Sequence, residues 1–267
     1  MDDSASKEQS IEILCLLLFF RWKYYYPLIY SLRMFNLLNS SEEFLNGKII
    51  LINKPLGWTS FDIVKKVKNL IRTKFSLKKI KVGHAGSLDP LATGLLIVCT
   101  GKFTKRIAEI QEQEKKYTGT ISLGGSTPSY DLETEIDYNY ETAHITELLI
   151  KKTAFKFIGE IDQKPPVFSA LKKDGERLYL KARRGEKVNI KSRKVRVHSF
   201  DITSIEMPNI NFEIRCEKGT YIRSIAHDFG IALNSGAHLS KLCRTAIGDY
   251  RLNDAIDIFS FEKQLNN

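Results

Sequence analysis

The stretch Gly83-His84-Ala85-Gly86-Ser87-Leu88-Asp89-Pro90-Leu91-Ala92-Thr93-Gly94 sets one histidine, one aspartate and one proline among three glycines. Glycine at this density suits special backbone angles and close approach to another group. The proline pushes Asp89 toward extended backbone, which presents its carboxylate at the lip of a rigid turn. A lone aspartate can act as nucleophile or base when a cation holds it ionised. Arg223, in the turn Lys218-Gly219-Thr220-Tyr221-Ile222-Arg223, is a suitable cation. Tyr117 and Tyr221 offer ring faces on which a nucleobase could stack. Each residue also has a plainer reading: a solvated aspartate in a surface turn, core tyrosines, a helix-capping arginine, and for His84 a hydrogen bond within its own loop.

Other chemistries lack their residues. A carboxylate without a partner acid is not a glycosidase pair. No segment follows the phosphate-cradling G-x-x-x-x-G-K pattern, so NTP hydrolysis is not expected. No His-x-x-x-His spacing occurs, and Cys15, Cys99, Cys216 and Cys243 form neither a C-x-x-C pair nor a zinc-spaced cluster. A catalytic metal is not expected, and the cysteines read as reduced thiols, with Cys99 and Cys216 in core strands.

The 267 residues suffice for one large domain, and 43% hydrophobic with 27% charged residues suit a globular chain. The net charge of +10 favours a polyanionic partner, nucleic acid before anionic membrane. The charge is concentrated. Residues 65–81 hold eight Lys or Arg and no acid, and residues 171–196 hold eleven against three acids. Two basic patches on an otherwise acidic chain point to phosphate contacts, the alternative being two solvated faces.

The elements that must position these residues follow from periodicity. Lys48–Asn53 reads as a buried strand, and Thr59 or Ser60 caps a helix over 61–73 whose one face is Phe61, Val64, Val67 and Leu70 or Ile71. Residues 95–99, 117–123, 194–205 and 210–217 read as strands. Helices are expected over 102–112, 145–157, 178–184, 222–233, 237–242 and 254–265. Gln163–Ala170 is an extended, proline-stiffened approach to the second basic cluster. The fold class is therefore α+β, a mixed and largely antiparallel sheet flanked by helices.

Residues 1–43 read as an extension to a domain over 44–267. The apolar run Ile13–Phe20 is too short for a membrane span, and the segment lacks the marks of a secretory signal. Asp2 and Asp3 argue against a mitochondrial presequence, and a native start at or near Met34 is expected.

Taken together, the motifs resemble the TruB family of tRNA pseudouridine synthases, from about Gly47 to Asp254. The loop 83–94 is similar to that family's G-H-x-G-x-L-D-P-x-A-x-G string. Four further blocks agree in order: Asn53-Lys54-Pro55 with Thr59-Ser60; Lys116-Tyr117; Pro165-Pro166 with Ser169–Lys172 and Leu178-Tyr179; and Lys218–Ser224. Gly236-Ala237-His238, Leu242 and Arg244-Thr245 complete the set. A departure is Thr127-Pro128-Ser129, where many members carry Thr-Asp-Thr, although Asp131 follows at a compatible place.

The resemblance implies the pseudouridine synthase fold and isomerisation of uridine 55 in the tRNA T-loop, without metal or organic cofactor. It implies Asp89 as nucleophile on C6 of the uracil or on the ribose, Arg223 as the cation that pairs with it, and Tyr117 as a base-stacking residue that helps in proton transfer. His84 would fill the space left by the flipped base, Tyr221 and Leu242 would line the pocket, and Lys54 with Pro55 would support its floor. Residues about 163–196 match an RNA-gripping insertion. No room remains after Ile247-Gly248-Asp249-Tyr250 for the PUA domain of many relatives, so T-arm contacts would carry more of the affinity. A cytoplasmic monomer that needs neither membrane nor protein partner is expected. The alternative is a tRNA-binding folding helper that works on the same surface without catalysis.

Overall fold

A computed structural model describes residues 40–267. The reading of Met34 and of the apolar run 13–20 therefore lies outside the described residues. In chain order the structure runs α1 (Ser41–Asn46), β1 (Ile49–Lys54), α2 (Ser60–Lys74), β2 (Val82–His84) and β3 (Ala92–Thr100). A 3-10 segment Gly101–Arg106 leads into α3 (Ile107–Glu112) and β4 (Lys115–Leu123). Then come β5 (Gly125–Ser126), β6 (Tyr138–Asn139), α4 (Glu147–Phe155), β7 (Gly159–Gln163), β8 (Lys172–Lys173), β9 (Glu176–Arg177) and α5 (Leu178–Arg183). The chain closes with β10 (Arg193–Glu206), β11 (Asn209–Cys216), α6 (Ile222–Ala232), β12 (Ala237–Ile247), β13 (Tyr250–Arg251), β14 (Ile256–Asp257) and α7 (Ile258–Asn266).

One ten-stranded sheet organises these elements, in the order β14-β1-β3-β12-β4-β11-β10-β7, with β2 added to β3 and β13 to β12. Its β1–β14 and β3–β12 pairs are parallel and the others antiparallel, as the expected mixed, largely antiparallel class requires. β3 is the hinge of the architecture. Its apolar run is buried on both faces: Leu96 and Val98 pack with α2 and α7 residues, while Leu95, Ile97 and Cys99 pack with Ile110 and Ile247. A larger core, with Ile121, Phe200, Phe212, Ile225 and Phe229, lies where α6 covers β4, β10 and β11.

The helix expected over 61–73 is α2, and Thr59 does cap it: Asp62 N–H donates to Thr59 Oγ1 and Thr59 N–H donates back to Asp62 Oδ2. Phe61, expected on the apolar face of this helix, is instead exposed, with Ile63 buried in its place, and two elements also depart from expectation. The helix expected over 102–112 is 3-10 in its first half, because Gly101 starts it from a left-handed turn (φ 50°) against the Phe44 and Leu45 carbonyls. The segment 237–242 is not a helix but the first half of β12, hydrogen-bonded between β3 and β4. Register shifts between Leu239 and Lys241 and between Arg244 and Ala246 break its period-2 pattern, which is why alternation does not reveal it.

Candidate active site

β3 forks. Residues 98–100 pair with β2, whereas 92–94 pair with Leu242–Arg244 of β12. The segment 85–91 leaves the sheet at this fork, between the two partners. Ala85 N–H donates to Ile97 O, Leu88 N–H donates to Ser60 Oγ, and that hydroxyl donates to Leu88 O. Gly94, at φ 101°, must be glycine: a Cβ there would stand 2.4 Å from the Arg244 carbonyl oxygen.

Two buried cations hold the loop's carbonyls. Arg244, 1% exposed, donates from Nε to Leu95 O (2.8 Å), from Nη1 to Ser87 O (3.2 Å) and from Nη2 to Gly86 O (3.0 Å). Lys54, fully buried, donates to the carbonyls of Trp58 (2.6 Å), Pro55 (2.9 Å) and Pro90 (3.4 Å), and Gly57 N–H also donates to Pro90 O. Burial pushes the Lys54 ammonium down to about 8.

Asp89 stands on this braced loop in a pocket of about 450 Å³, with Tyr117, Tyr221, Arg223 and Leu242 among its walls. Arg223 Nε lies 3.0 Å from Asp89 Oδ2 and 3.6 Å from Asp131 Oδ2. The contact to Asp89 is ionic rather than an aligned hydrogen bond, since no acceptor meets the Nε–H direction. Arg223 Nη1 donates to Ser129 O (3.1 Å) and Nη2 to Phe168 O (2.9 Å). Thus the second residue of α6 joins the loop that bears Asp89, the 129–131 turn and the 163–170 approach. Ser224 Oγ donates to Lys164 O, and Tyr221 exchanges two hydrogen bonds with the Gln163 side chain, which fixes the same junction. The Tyr221 ring lies under the Arg193 guanidinium at 5.2 Å.

Burial pushes the Asp89 carboxyl up; Arg223 pulls it back, while Asp131 and Glu133 push it up further. Water reaches the carboxylate through the pocket mouth, which softens the burial effect. Burial also raises the Tyr117 phenol, so that Tyr117 is a neutral donor at ordinary pH, and lowers Lys115 on the pocket wall to about 8.

The fold thus brings together Asp89, Tyr117, Tyr221, Arg223 and Leu242, from positions as distant as 89 and 242. It does not bring His84 or Lys54 to the pocket surface. His84 ends β2 with its Nδ1 buried and without a hydrogen-bond partner, and burial lowers its imidazole. Lys54 lies under the loop. Two residues of the pocket region, Arg244 and Asp131, were named in the motif match but given no role. Arg244 had a signal, a cation in step with Leu242 and Ala246 in a run otherwise fit for the core, but the irregular strand hides it. Asp131 was marked only by its place in the motif; in the structure the Thr127 and Ser129 hydroxyls donate to its carbonyl.

No group of three or more His, Cys, Asp or Glu side chains suited to a metal ion occurs among the described residues. Nor is any helix among them long and apolar enough to cross a membrane.

Comparison with known proteins places the chain. Residues 72–222 match the family described as TruB family pseudouridylate synthase (N terminal domain). The tRNA pseudouridine synthase B of Flavobacterium johnsoniae is 60% identical over 225 residues, covering 84% of this chain and 98% of that protein. That of Phocaeicola vulgatus is 51% identical over 224 residues, covering 84% and 95%. Among solved structures, a chain of a Cbf5-Nop10-Gar1 complex superposes with a TM-score of 0.62 at 28% identity over 83% of this chain. Only 55% of that chain is covered, so this one spans about half its length. A chain of an H/ACA RNP bound to a substrate RNA containing 2'-deoxyuridine gives 0.61 at 26% identity, covering 84% of this chain and 55% of that one.

Proposed function

The chain belongs to the TruB family of pseudouridylate synthases, and from that premise we propose that it isomerises uridine 55 in the tRNA T-loop with Asp89 as nucleophile. Conversion of uridine to pseudouridine in tRNA is the reaction. The remaining assignments rest on the geometry. The observation that carries them is the water-accessible Asp89 carboxylate held 3.0 Å from a buried Arg223, in a pocket walled by Tyr117, Tyr221 and Leu242.

A base inside a folded arm must leave its stack to reach this pocket, at a cost of about a few kcal/mol. Tyr117 takes the flipped ring on its face and helps move a proton; Tyr221 and Leu242 confine it. Asp89 attacks C6 of the uracil or C1′ of the ribose. The N1–C1′ bond breaks, the detached base turns, C5 bonds to C1′, and the bond to Asp89 breaks so that the carboxylate returns. C5 loses its proton and N1 gains one, so atoms balance without oxidant or co-substrate. Arg223 holds the carboxylate in line, and Asp131 holds Arg223 from its other side. His84 fills the space the base vacates; Lys54 keeps the loop in place through its three carbonyl contacts.

The catalytic domain spans 44–267, with the insertion about 163–196 gripping the T-arm, and residues 1–43 form an extension. A cytoplasmic monomer that needs no protein partner is our reading of its working form.

The test is direct. Purified protein is incubated with unmodified T-arm RNA, and pseudouridine is mapped with and without Asp89→Asn. Product at position 55 from the wild type alone supports the proposal. No product from the wild type, or equal product from the variant, sinks it. Product at another uridine removes the positional claim.

A further inference from the structure

We propose that His227 and Tyr130, neither of which lines the pocket, form an aromatic clamp that positions Arg223 against Asp89. The inference rests on the reading of Asp89 as the reacting group.

Helix α6 carries Arg223 near its start and His227 four residues later, on the same face. The rings of His227 and Tyr130 are stacked, with centroids 3.9 Å apart and planes 14° apart. Tyr130 sits between the two residues of its turn that hold Arg223: Ser129, whose carbonyl accepts from Nη1, and Asp131, whose carboxylate is 3.6 Å from Nε. Displacing Tyr130 therefore displaces two of the guanidinium's four partners.

The backbone of Tyr130 needs holding. Its φ is 66°, a left-handed conformation that a bulky side chain keeps only where the surroundings impose it. Backbone bonds supply part of that hold: Tyr130 N–H donates to Thr127 O, and Leu239 N–H donates to Tyr130 O. The stack supplies the rest, and it ties the turn to the helix that bears Arg223. So α6 meets the turn at two points about one helical turn apart, the guanidinium at one and the imidazole at the other. Burial lowers the His227 imidazole, which stacks in its neutral form. A stack that served only to fill space would contribute to folding and leave turnover alone.

The test compares His227→Ala, which removes the ring, with His227→Phe, which keeps it, in the full chain acting on unmodified T-arm RNA. His227→Ala is expected to lower kcat about tenfold with KM within about twofold, because an ångström-scale shift of a charge partner acts on the chemistry and not on RNA docking. His227→Phe is expected to restore kcat to within about twofold of wild type. If His227→Ala does not fold, His227→Leu takes its place. Unchanged kcat in the ring-less variant, an equal loss in His227→Phe, or a rise confined to KM each overturns the clamp. A wild type that makes no pseudouridine defeats the functional reading instead. The clamp is then judged by crystal structures of both proteins: an Arg223–Asp89 separation lengthened from 3.0 Å in the ring-less variant supports it, and an unchanged one overturns it.

Discussion

Asp89 and Arg223 form a one-sided pair: the carboxylate side chain is 42% exposed, whereas the guanidinium 3.0 Å away is 3% exposed. The cation belongs to the core and the anion to the pocket. Replacing one member is therefore a different experiment from replacing the other.

Asp89→Asn should lower turnover at least about a thousandfold, as loss of a nucleophile does, with RNA affinity within about threefold. It should not destabilise the fold. A carboxyl raised by folding gives stability that is full below its unfolded value and declines as pH rises through the folded one, so the charged form at neutral pH carries a cost that the amide lacks. Thermal melting at pH 7 checks this; a clear drop in Tm would contradict it.

Arg223→Met should behave in the opposite way. It leaves Asp131, Ser129 O and Phe168 O without their buried cation, and a loss of about 3–5 kcal/mol is expected on urea unfolding. Turnover should fall more than RNA binding. Equal losses in both would mark Arg223 as a phosphate contact.

The acid limb of the pH profile should report Asp89. Its carboxyl is raised, chiefly by burial, so single-turnover rates should decline with falling pH above the ordinary aspartate range. Removing the guanidinium with Arg223→Gln takes away the group that pulls the value back, and the limb should move to still higher pH. A limb that stays put in the variant would argue that another group titrates.

Arg244→Lys should cost about 2–4 kcal/mol and most of the activity, because a point-like ammonium lacks the planar fork that spreads donors to the separate Gly86, Ser87 and Leu95 carbonyls. Denaturant unfolding and single-turnover rates measure the two losses; an unfolding change below about 1 kcal/mol would show that the loop does not lean on this residue.

On α2, Phe61, Lys65, Lys68 and Arg72 share one face, and none of these cations is ion-paired among the described residues. If that face touches RNA, changing Lys65, Lys68 and Arg72 together to Gln should reduce the slope of log affinity against log salt by about 2–3, since each lost phosphate contact removes about 0.7–0.9. An unchanged slope would leave RNA contact to residues 171–196.

What the sequence disclosed and what it hid follow from the same physics. Asp89, Tyr117, Tyr221 and Arg223 were legible as candidates from side-chain type and neighbouring glycines, whereas Leu242 and the roles of all five came from the resemblance of their motifs to one family. α2 was legible because a cap at Thr59 or Ser60 precedes a helical apolar period, whereas the answering Asp62 bond came only with the structure. β12 was not, since its bulges shift the register that alternation depends on, and Arg244 went unassigned with it. Lys54 was named as floor support, but that it spends its ammonium on three carbonyls is a fact of packing. The stacking of Tyr130 on His227 joins residues nearly a hundred positions apart, which no local pattern announces.

The parallel pairing of Ala92–Gly94 with Leu242–Arg244 also bears on protein synthesis. Asp89 is made early, yet the strand that completes its pocket comes from near the end of the described chain. A nascent chain emerging from the ribosome holds Asp89 on a loop that lacks its Arg244 contacts until residue 244 is free to pair. Until then the pocket lacks its Arg223 and Leu242 walls, so it closes only when β12 takes its place in the sheet.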